Sequence, residues 1–438
     1  MKALIKSLLF AVMWTGASAG ALSSIWDGAE DIGNGWYHLD WLGSFNELSP
    51  EWIYHSEHGF LMVTGVDPSD FSFYDIGLGS WFSTGDAYYP ILYKLGYREG
   101  WYWHESGGTP GSRSFTDLMT GELLGESSLM EIVLPTYALI EQGTFTMGSE
   151  MNATWQEGMD RATLHDVTLS AYHIQHTLVT NAQYAHVMNW AYGEGLLTLE
   201  DSMVKNAEGD PRRLYHVEWS GQVKWSGQSF VVDAGKGSYP VVGVTWYGGM
   251  AYCHFLTRME GTLTQAVNLA DWTMDISQTG YRLPTEAEWE RAARGGRSGE
   301  IRFPWENWWI THDDANYYAT PTGYTNDKSE TYREHPDWYS ETPPSTSPVG
   351  SFPANEFGLY DMAGNAFDWC YDWYDFFYYA ESPPENPTGP ETGTDKILRG
   401  GSWDLNSQYA RLFNRHVDIP EQIFLSRNGF RAVRTAAE

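Results

Sequence analysis

In Asp361-Met362-Ala363-Gly364-Asn365-Ala366-Phe367-Asp368, two carboxylates flank a short glycine-containing loop. Asp361 and Asp368 can present side-chain oxygens there, while Gly364 and Ala366 can turn their carbonyls inward. Hard oxygen ligands of mixed origin suit Ca²⁺. The alternative is an acidic turn whose aspartates cap backbone amides. His165, His173 and His176 lie near one another in the chain and are the residues to weigh for a transition metal. On a strand, His173 and His176 would face opposite sides, which argues against their chelating one ion. Surface or hydrogen-bonded interior histidines are the plainer reading. The chain has two cysteines, Cys253 and Cys370. They can pair or stay buried as small hydrophobes, and in neither case is this a disulfide-built scaffold.

The elements that would position these residues fall into two textures. From about Trp26 to Leu124 short aromatic units recur, among them Gly35-Trp36-Tyr37-His38-Leu39-Asp40, Trp52-Ile53-Tyr54-His55, Phe71-Ser72-Phe73-Tyr74-Asp75 and Gly100-Trp101-Tyr102-Trp103-His104. Alternating aromatics bounded by Gly and Asp read as strands joined by tight turns, and their recurrence suggests a small all-β hairpin-repeat module over 24–124. Stacked Trp and Tyr faces there could grip a cell-wall or envelope polymer or a choline-like cation; aromatic packing between hairpins is the alternative. Ser106-Gly107-Gly108-Thr109-Pro110-Gly111-Ser112 reads as a flexible stretch, and 125–131 as a linker.

Beyond it the elements lengthen. Thr180-Asn181-Ala182-Gln183 and Thr285-Glu286-Ala287-Glu288 have the spacing of capping boxes, the second opening a helix that should end at Gly295-Gly296. A third helix is expected over Tyr247–Leu256, with Ala251 and Phe255 on its apolar side. Residues 297–350 read as long polar loops, so the mix is α+β with little regular sheet.

At the N-terminus Lys2 and Lys6 precede an apolar run from Leu8 to Trp14, and Ala17-Ser18-Ala19 offers a small-residue cleavage site. That layout predicts a signal peptide over 1–19 and an exported protein, secreted or held in the periplasm or cell envelope. No apolar run is long enough to span a bilayer. The net charge of −31 disfavours nucleic acid and anionic lipid as partners, and no basic patch offsets it.

The order of the remaining motifs is specific. Gly143-Thr144-Phe145-Thr146-Met147-Gly148-Ser149 is followed by Leu178-Val179-Thr180-Asn181-Ala182-Gln183-Tyr184 and by Pro240-Val241-Val242-Gly243-Val244-Thr245-Trp246. Next come Tyr281-Arg282-Leu283-Pro284-Thr285-Glu286-Ala287-Glu288-Trp289-Glu290, Gly358-Leu359-Tyr360-Asp361-Met362-Ala363-Gly364-Asn365-Ala366, Arg399-Gly400-Gly401-Ser402-Trp403 and Asn428-Gly429-Phe430-Arg431. This set resembles the sulfatase-modifying-factor (formylglycine-generating enzyme) family over 132–436.

The resemblance implies a C-type-lectin-like fold stabilised by calcium. It also implies an ancestral chemistry in which a sulfatase cysteine is oxidised to formylglycine by molecular oxygen, with copper held by two cysteine thiolates. The matching positions here are Leu405 and Ala410, which can neither bind a soft metal nor exchange a disulfide. Copper is therefore not expected, nor is iron, because iron-using cousins draw their histidines from a helical domain not seen in this chain. In some relatives Cys253 would pair just after the Gly-Phe-Arg motif, where Ala432 stands here.

By the same resemblance Asp361, Gly364, Ala366 and Asp368 match one calcium site. Asn316 and the Tyr317 carbonyl begin a second, with Asp337 or Glu341 as its later acid. The ancestral substrate cleft maps to Ser402, Trp403, Asp404 and Asn406, with Arg411 and Arg415 nearby. These groups could hold a peptide or glycan, although an interior role, such as Arg415 satisfying buried carbonyls, is equally consistent. The reading is an exported, non-catalytic binding or envelope-assembly protein; the alternative is a metal-dependent oxidoreductase acting on a sulfatase cysteine or small thiol.

Overall fold

The computed structural model describes residues 29–436 apart from short segments, among them 85–90, 106–112, 126–134, 151–162, 306–307 and 424–425. The predicted signal peptide, the Ser106–Ser112 stretch and most of the 125–131 linker lie outside the described residues. The chain divides into two compact units, 1–124 and 125–438.

Among the described residues of the first unit eleven strands, from Glu30–Gly33 to Leu123–Gly125, pair in sequence order. The pleat explains which aromatics are enclosed. Tyr102 and His104 are buried while Trp103 between them is 41% exposed, the period of two that a sheet with one covered face requires. Cross-strand pairs fill that face. Phe73 lies opposite Phe82 with ring centroids 5.4 Å apart, and His104 lies opposite Phe115 at 5.2 Å.

Among the described residues of the second unit three α-helices carry the packing. Helix α1 (Asn181–Gly193) starts at Thr180, whose hydroxyl accepts from the Gln183 amide while the Gln183 side chain accepts from the Thr180 N–H. Helix α2 (Trp246–Glu260) is capped by Thr245 and stops at Gly261 in the left-handed conformation. Helix α3 (Glu286–Arg294) has the second capping box, Thr285 with Glu288, and ends at left-handed Gly295. All three form where the sequence predicts, with α2 starting one residue earlier and running four residues further than expected.

Helices α1 and α2 enclose one core, in which Tyr184, Tyr215, Tyr252 and Phe430 meet ring to ring. Helix α3 lays Trp289, Ala292 and Ala293 against a second, formed with Val167, Leu169, Ile397, Leu412 and Phe413. A four-stranded sheet, ordered Tyr137–Ile140, Tyr172–Gln175, Val433–Thr435, Tyr281–Arg282, joins the two ends of the unit. Another, ordered His416–Asp418, Lys396–Arg399, Phe367–Trp373, Asn428–Gly429, holds the segments around the candidate site. Among the described residues no helix or strand forms over 297–366, yet Phe303, Ile310, Ala315, Tyr317 and Ala319 in that stretch are fully buried. The unit is therefore mostly strands and packed loops, with little helix. No helix is long and apolar enough to cross a membrane among the described residues.

Candidate functional site

Helix α3 supplies the anchor on which the site loops hang. Glu290 is fully buried; it accepts from the Gly148 N–H at 2.8 Å and pairs with Arg294 at 2.8 Å and with Arg399. Burial alone would favour its neutral form, but Arg294, Arg399 and the Gly148 amide hold its carboxyl below the ordinary glutamate range. One turn earlier Glu286 binds Arg415 through both oxygens, at 2.8 and 3.2 Å, and lies 3.5 Å from Arg399. The Glu286 N–H donates to Asp372, whose carboxyl is pushed up to about 8 by burial and by the Glu286 charge. Three distant segments, 148–149, 399–415 and 372, are thus tied to one helix turn.

The Asp361–Asp368 loop is fixed by its own backbone. Asp361 and Asn365 adopt positive φ of 54° and 64°, and Gly364 lies at 77° with its Cα so close to the Asn316 carbonyl that a Cβ would stand 2.4 Å from it. The Asn316 carbonyl accepts the Asn365 N–H at 2.7 Å, so the two segments proposed as separate ion sites abut. Asn365 is fully buried and exchanges two hydrogen bonds with the Ser347 backbone.

Asp361 accepts from the Gly350 N–H at 2.8 Å, and burial pushes its carboxyl up to about 6. In Asp368 one oxygen accepts from Trp289 Nε1 and Arg431 Nε, both at 2.8 Å. Its other oxygen, Oδ1, is buried without a hydrogen-bond partner, and burial raises this carboxyl too. A buried carboxylate oxygen left without a donor, with a second buried carboxylate near enough for the two charges to repel, is the kind of place a hard cation would satisfy. Asp361, Asp368 and the Gly364 and Ala366 carbonyls therefore fit calcium in donor chemistry.

The second predicted set is used differently. Asn316 donates its amide to the Ser345 carbonyl at 2.9 Å, and the Tyr317 carbonyl accepts from His312 Nε2 at 3.1 Å. Asp337 and Glu341 are exposed. The buried carboxylate beside Tyr317 is Asp327, which accepts from the tyrosine hydroxyl at 2.7 Å. Sequence spacing gave no hint of Asp327, because a loop without regular structure brings it there.

The Gly400–Arg411 segment carries the residues that the family resemblance assigns to a cleft. Ser402 donates to Asp404 at 2.6 Å, and the other Asp404 oxygen meets Arg427 at 3.2 Å. Trp403 donates to the Ser426 carbonyl, and Asn406 reaches the Tyr324 hydroxyl at 3.3 Å. His416 stacks on Phe367 at 4.8 Å, and burial together with Arg427 lowers it to about 4.

Arg411 and Arg415 lie in the interior. Arg411 is buried over the Phe413 ring and donates to the Gln408 carbonyl. Arg415 is buried between Tyr374 and Tyr379, held by Glu286 and donating to the Asp375 carbonyl. Their guanidiniums compensate interior carboxylates and carbonyls, so the interior reading applies. Arg427 and Tyr324, which sequence reasoning missed, are the residues that meet Asp404 and Asn406.

Leu405 packs half-buried against the α1–α2 core, and Ala410 is fully enclosed beside Phe303. Cys253 and Cys370 are free buried thiols in separate cores, both pushed well above the ordinary thiol range by burial. The histidines serve the fold. The His176 ring pairs with the Gly358 carbonyl at 2.7 Å and that of His165 with the Thr163 carbonyl at 2.9 Å, while His173 lies on strand Tyr172–Gln175.

Comparison with known proteins matches residues 127–436 to the sulfatase-modifying factor enzyme 1-like domain. The formylglycine-generating enzyme of Thermomonospora curvata is 30% identical over 315 residues, covering 67% of this chain and 91% of that protein. Serine/threonine-protein kinase pkn1 of Chlamydia pneumoniae is 31% identical over 311 residues, 69% of this chain but only 38% of the kinase, so the chain spans well under half of that relative. Among solved structures, PvdO from Pseudomonas aeruginosa aligns over 69% of this chain and 95% of its own, at 24% identity and a TM-score of 0.46. From residue 127 to residue 436 the chain belongs to the sulfatase-modifying factor family that includes the formylglycine-generating enzymes.

Proposed function

We propose that this chain is an exported binding or envelope-assembly protein on a calcium-stabilised, C-type-lectin-like scaffold, without the thiol oxidase chemistry of its family. The observation that carries the reading is the pair Leu405 and Ala410. In the loop where the family resemblance places copper-binding thiolates, both side chains are hydrocarbon and packed as such. The two thiols the chain does have are buried in other cores, where burial keeps them protonated. Asp404, with Ser402 and Arg427, offers instead a fixed carboxylate–guanidinium pair suited to a polar peptide or glycan.

Calcium would be held by Asp361, Asp368 and the Gly364 and Ala366 carbonyls, neutralising two buried carboxylates that otherwise repel. Because protons compete for Asp361, whose carboxyl stands at about 6, calcium affinity should weaken as pH falls through that value.

The test is elemental analysis of the purified mature protein before and after chelation, with melting followed alongside oxygen uptake on a sulfatase-motif peptide. Calcium alone, a melting point lowered by chelator and no oxygen uptake are expected. Stoichiometric copper with turnover of the peptide would sink the non-catalytic reading and favour a metal-dependent oxidoreductase.

A further inference from the structure

A pocket of about 430 Å³ opens beside the end of α3, lined by Arg297, Glu300, Arg302, Trp305, Trp308 and Glu356 among others. None of these residues belongs to the Ser402–Arg427 cleft or to the Asp361–Asp368 loop. The volume suits a small ligand of one or two rings.

Its aromatic wall is held in place from behind. Trp305 stacks on Phe303 with centroids 5.5 Å apart and planes 11° from parallel, and its Nε1 donates to the Trp309 carbonyl at 3.1 Å. Phe303 is itself fully buried, so the indole rests on core. Trp308 is 51% exposed, and the Arg302 guanidinium lies 5.9 Å from its ring centroid.

The polar wall is equally fixed. Glu300 accepts from the Ser149 hydroxyl at 2.8 Å and the Glu150 N–H at 2.7 Å. Arg297 donates through Nε and Nη2 to one oxygen of Glu356, at 3.1 and 2.9 Å. Its Nη1 is shielded from solvent and has no hydrogen-bond partner in the protein. That atom is closed to a ligand, so the polar surface offered here is the Glu356 carboxylate, more than half exposed where Arg297 holds it.

The chemistry of these walls selects a ligand class. The lining holds two guanidiniums and two carboxylates, so it carries no net charge, and the chain's overall −31 repels polyanions. Among the described lining residues none lies on a strand, so there is no edge on which an extended peptide could form ladder bonds. A pyranose ring has an apolar C–H face and a rim of hydroxyls, each both donor and acceptor. Rigid indole faces match the first, and a paired Arg–Glu fork matches the second.

We propose that this pocket is a binding subsite for a neutral saccharide, which stacks on Trp308 and Trp305 while its hydroxyls donate to the Glu356 carboxylate that Arg297 holds in place. The inference does not depend on the function proposed for the cleft.

Isothermal titration and saturation-transfer NMR on the full chain would test it. The probes are N-acetylglucosamine oligomers and xylo-oligosaccharides, with oligogalacturonate and a mixed-charge peptide as comparators. Saturable binding of a neutral oligosaccharide is expected, about tenfold weaker in Trp308→Ala and in Arg297→Gln, and largely restored in Trp308→Phe. Lys205→Gln, a surface change, should leave it unaltered. Melting curves check the fold, and if Trp308→Ala is destabilised then Arg297→Gln decides. Failure of every neutral saccharide to saturate at millimolar concentration, equal binding by both pocket variants, or binding of only the peptide or oligogalacturonate would overturn the proposal.

Discussion

Glu290→Gln offers the sharpest test of how the second unit is held together. The substitution keeps shape and leaves one amide oxygen to accept from the Gly148 N–H and from Arg294. What it removes is the charge that compensates Arg399, and it sets an amide N–H₂ against the Arg399 Nη2 donor. Arg399 is not stranded, since it keeps Glu286 at 3.5 Å and the Leu412 and Asn414 carbonyls at 2.7 Å. Breaking a buried pair costs about 3–5 kcal/mol, and these remaining partners place the loss near about 3, roughly two orders of magnitude in the folding constant. All three described helices lie in this unit, so urea unfolding followed by the far-UV helical signal reports on it. The Glu290 carboxyl is held low in the folded state, so its contribution is present above the unfolded glutamate value and is lost as pH falls through the folded one. The wild-type advantage over Glu290→Gln should therefore shrink in acid. A variant within about 0.5 kcal/mol of wild type at neutral pH would refute the idea that this pair anchors the site loops. Lys205→Gln, which breaks an exposed pair with Glu200, should show no measurable change.

Two further outcomes follow from burial. His416 stands at about 4, lowered by burial and Arg427, so the folded state resists its protonation. Stability from this residue is complete above the ordinary histidine range and declines as pH drops from there toward 4; His416→Phe should flatten that slope in melting curves, and an unchanged slope would count against it. Cys253 and Cys370 should both escape a water-soluble thiol reagent in the folded chain and both react after denaturation; labelling of either without unfolding would contradict their enclosure.

Local features were legible in the sequence. Both capping boxes formed because Thr180 and Thr285 each meet a partner three residues on, an interaction that needs no tertiary context. The carboxylate–glycine loop was also visible, and its positive-φ positions at Asp361, Gly364 and Asn365 explain why those short residues occupy it. The cleft was legible only in part. Ser402 and Asp404 meet because they are two residues apart, whereas Arg427 and Tyr324 arrive from loops that carry no periodicity.

The sequence by itself determined which residue types are available: hydrocarbon at 405 and 410, two carboxylates around Gly364, aromatics alternating through the first unit. It also determined the helices, since caps and apolar spacing act over a few residues. Only the tertiary structure decided which charges face solvent and which face each other. In the sequence Arg415 and Arg411 fit a cleft or the interior equally well. They are buried because Glu286, 129 residues before Arg415, and carbonyls such as those of Asp375 and Gln408 need donors that water cannot reach. The same long-range packing ties Arg431 to Asp368 and gives the other Asp368 oxygen no protein donor, an arrangement no spacing rule could reveal.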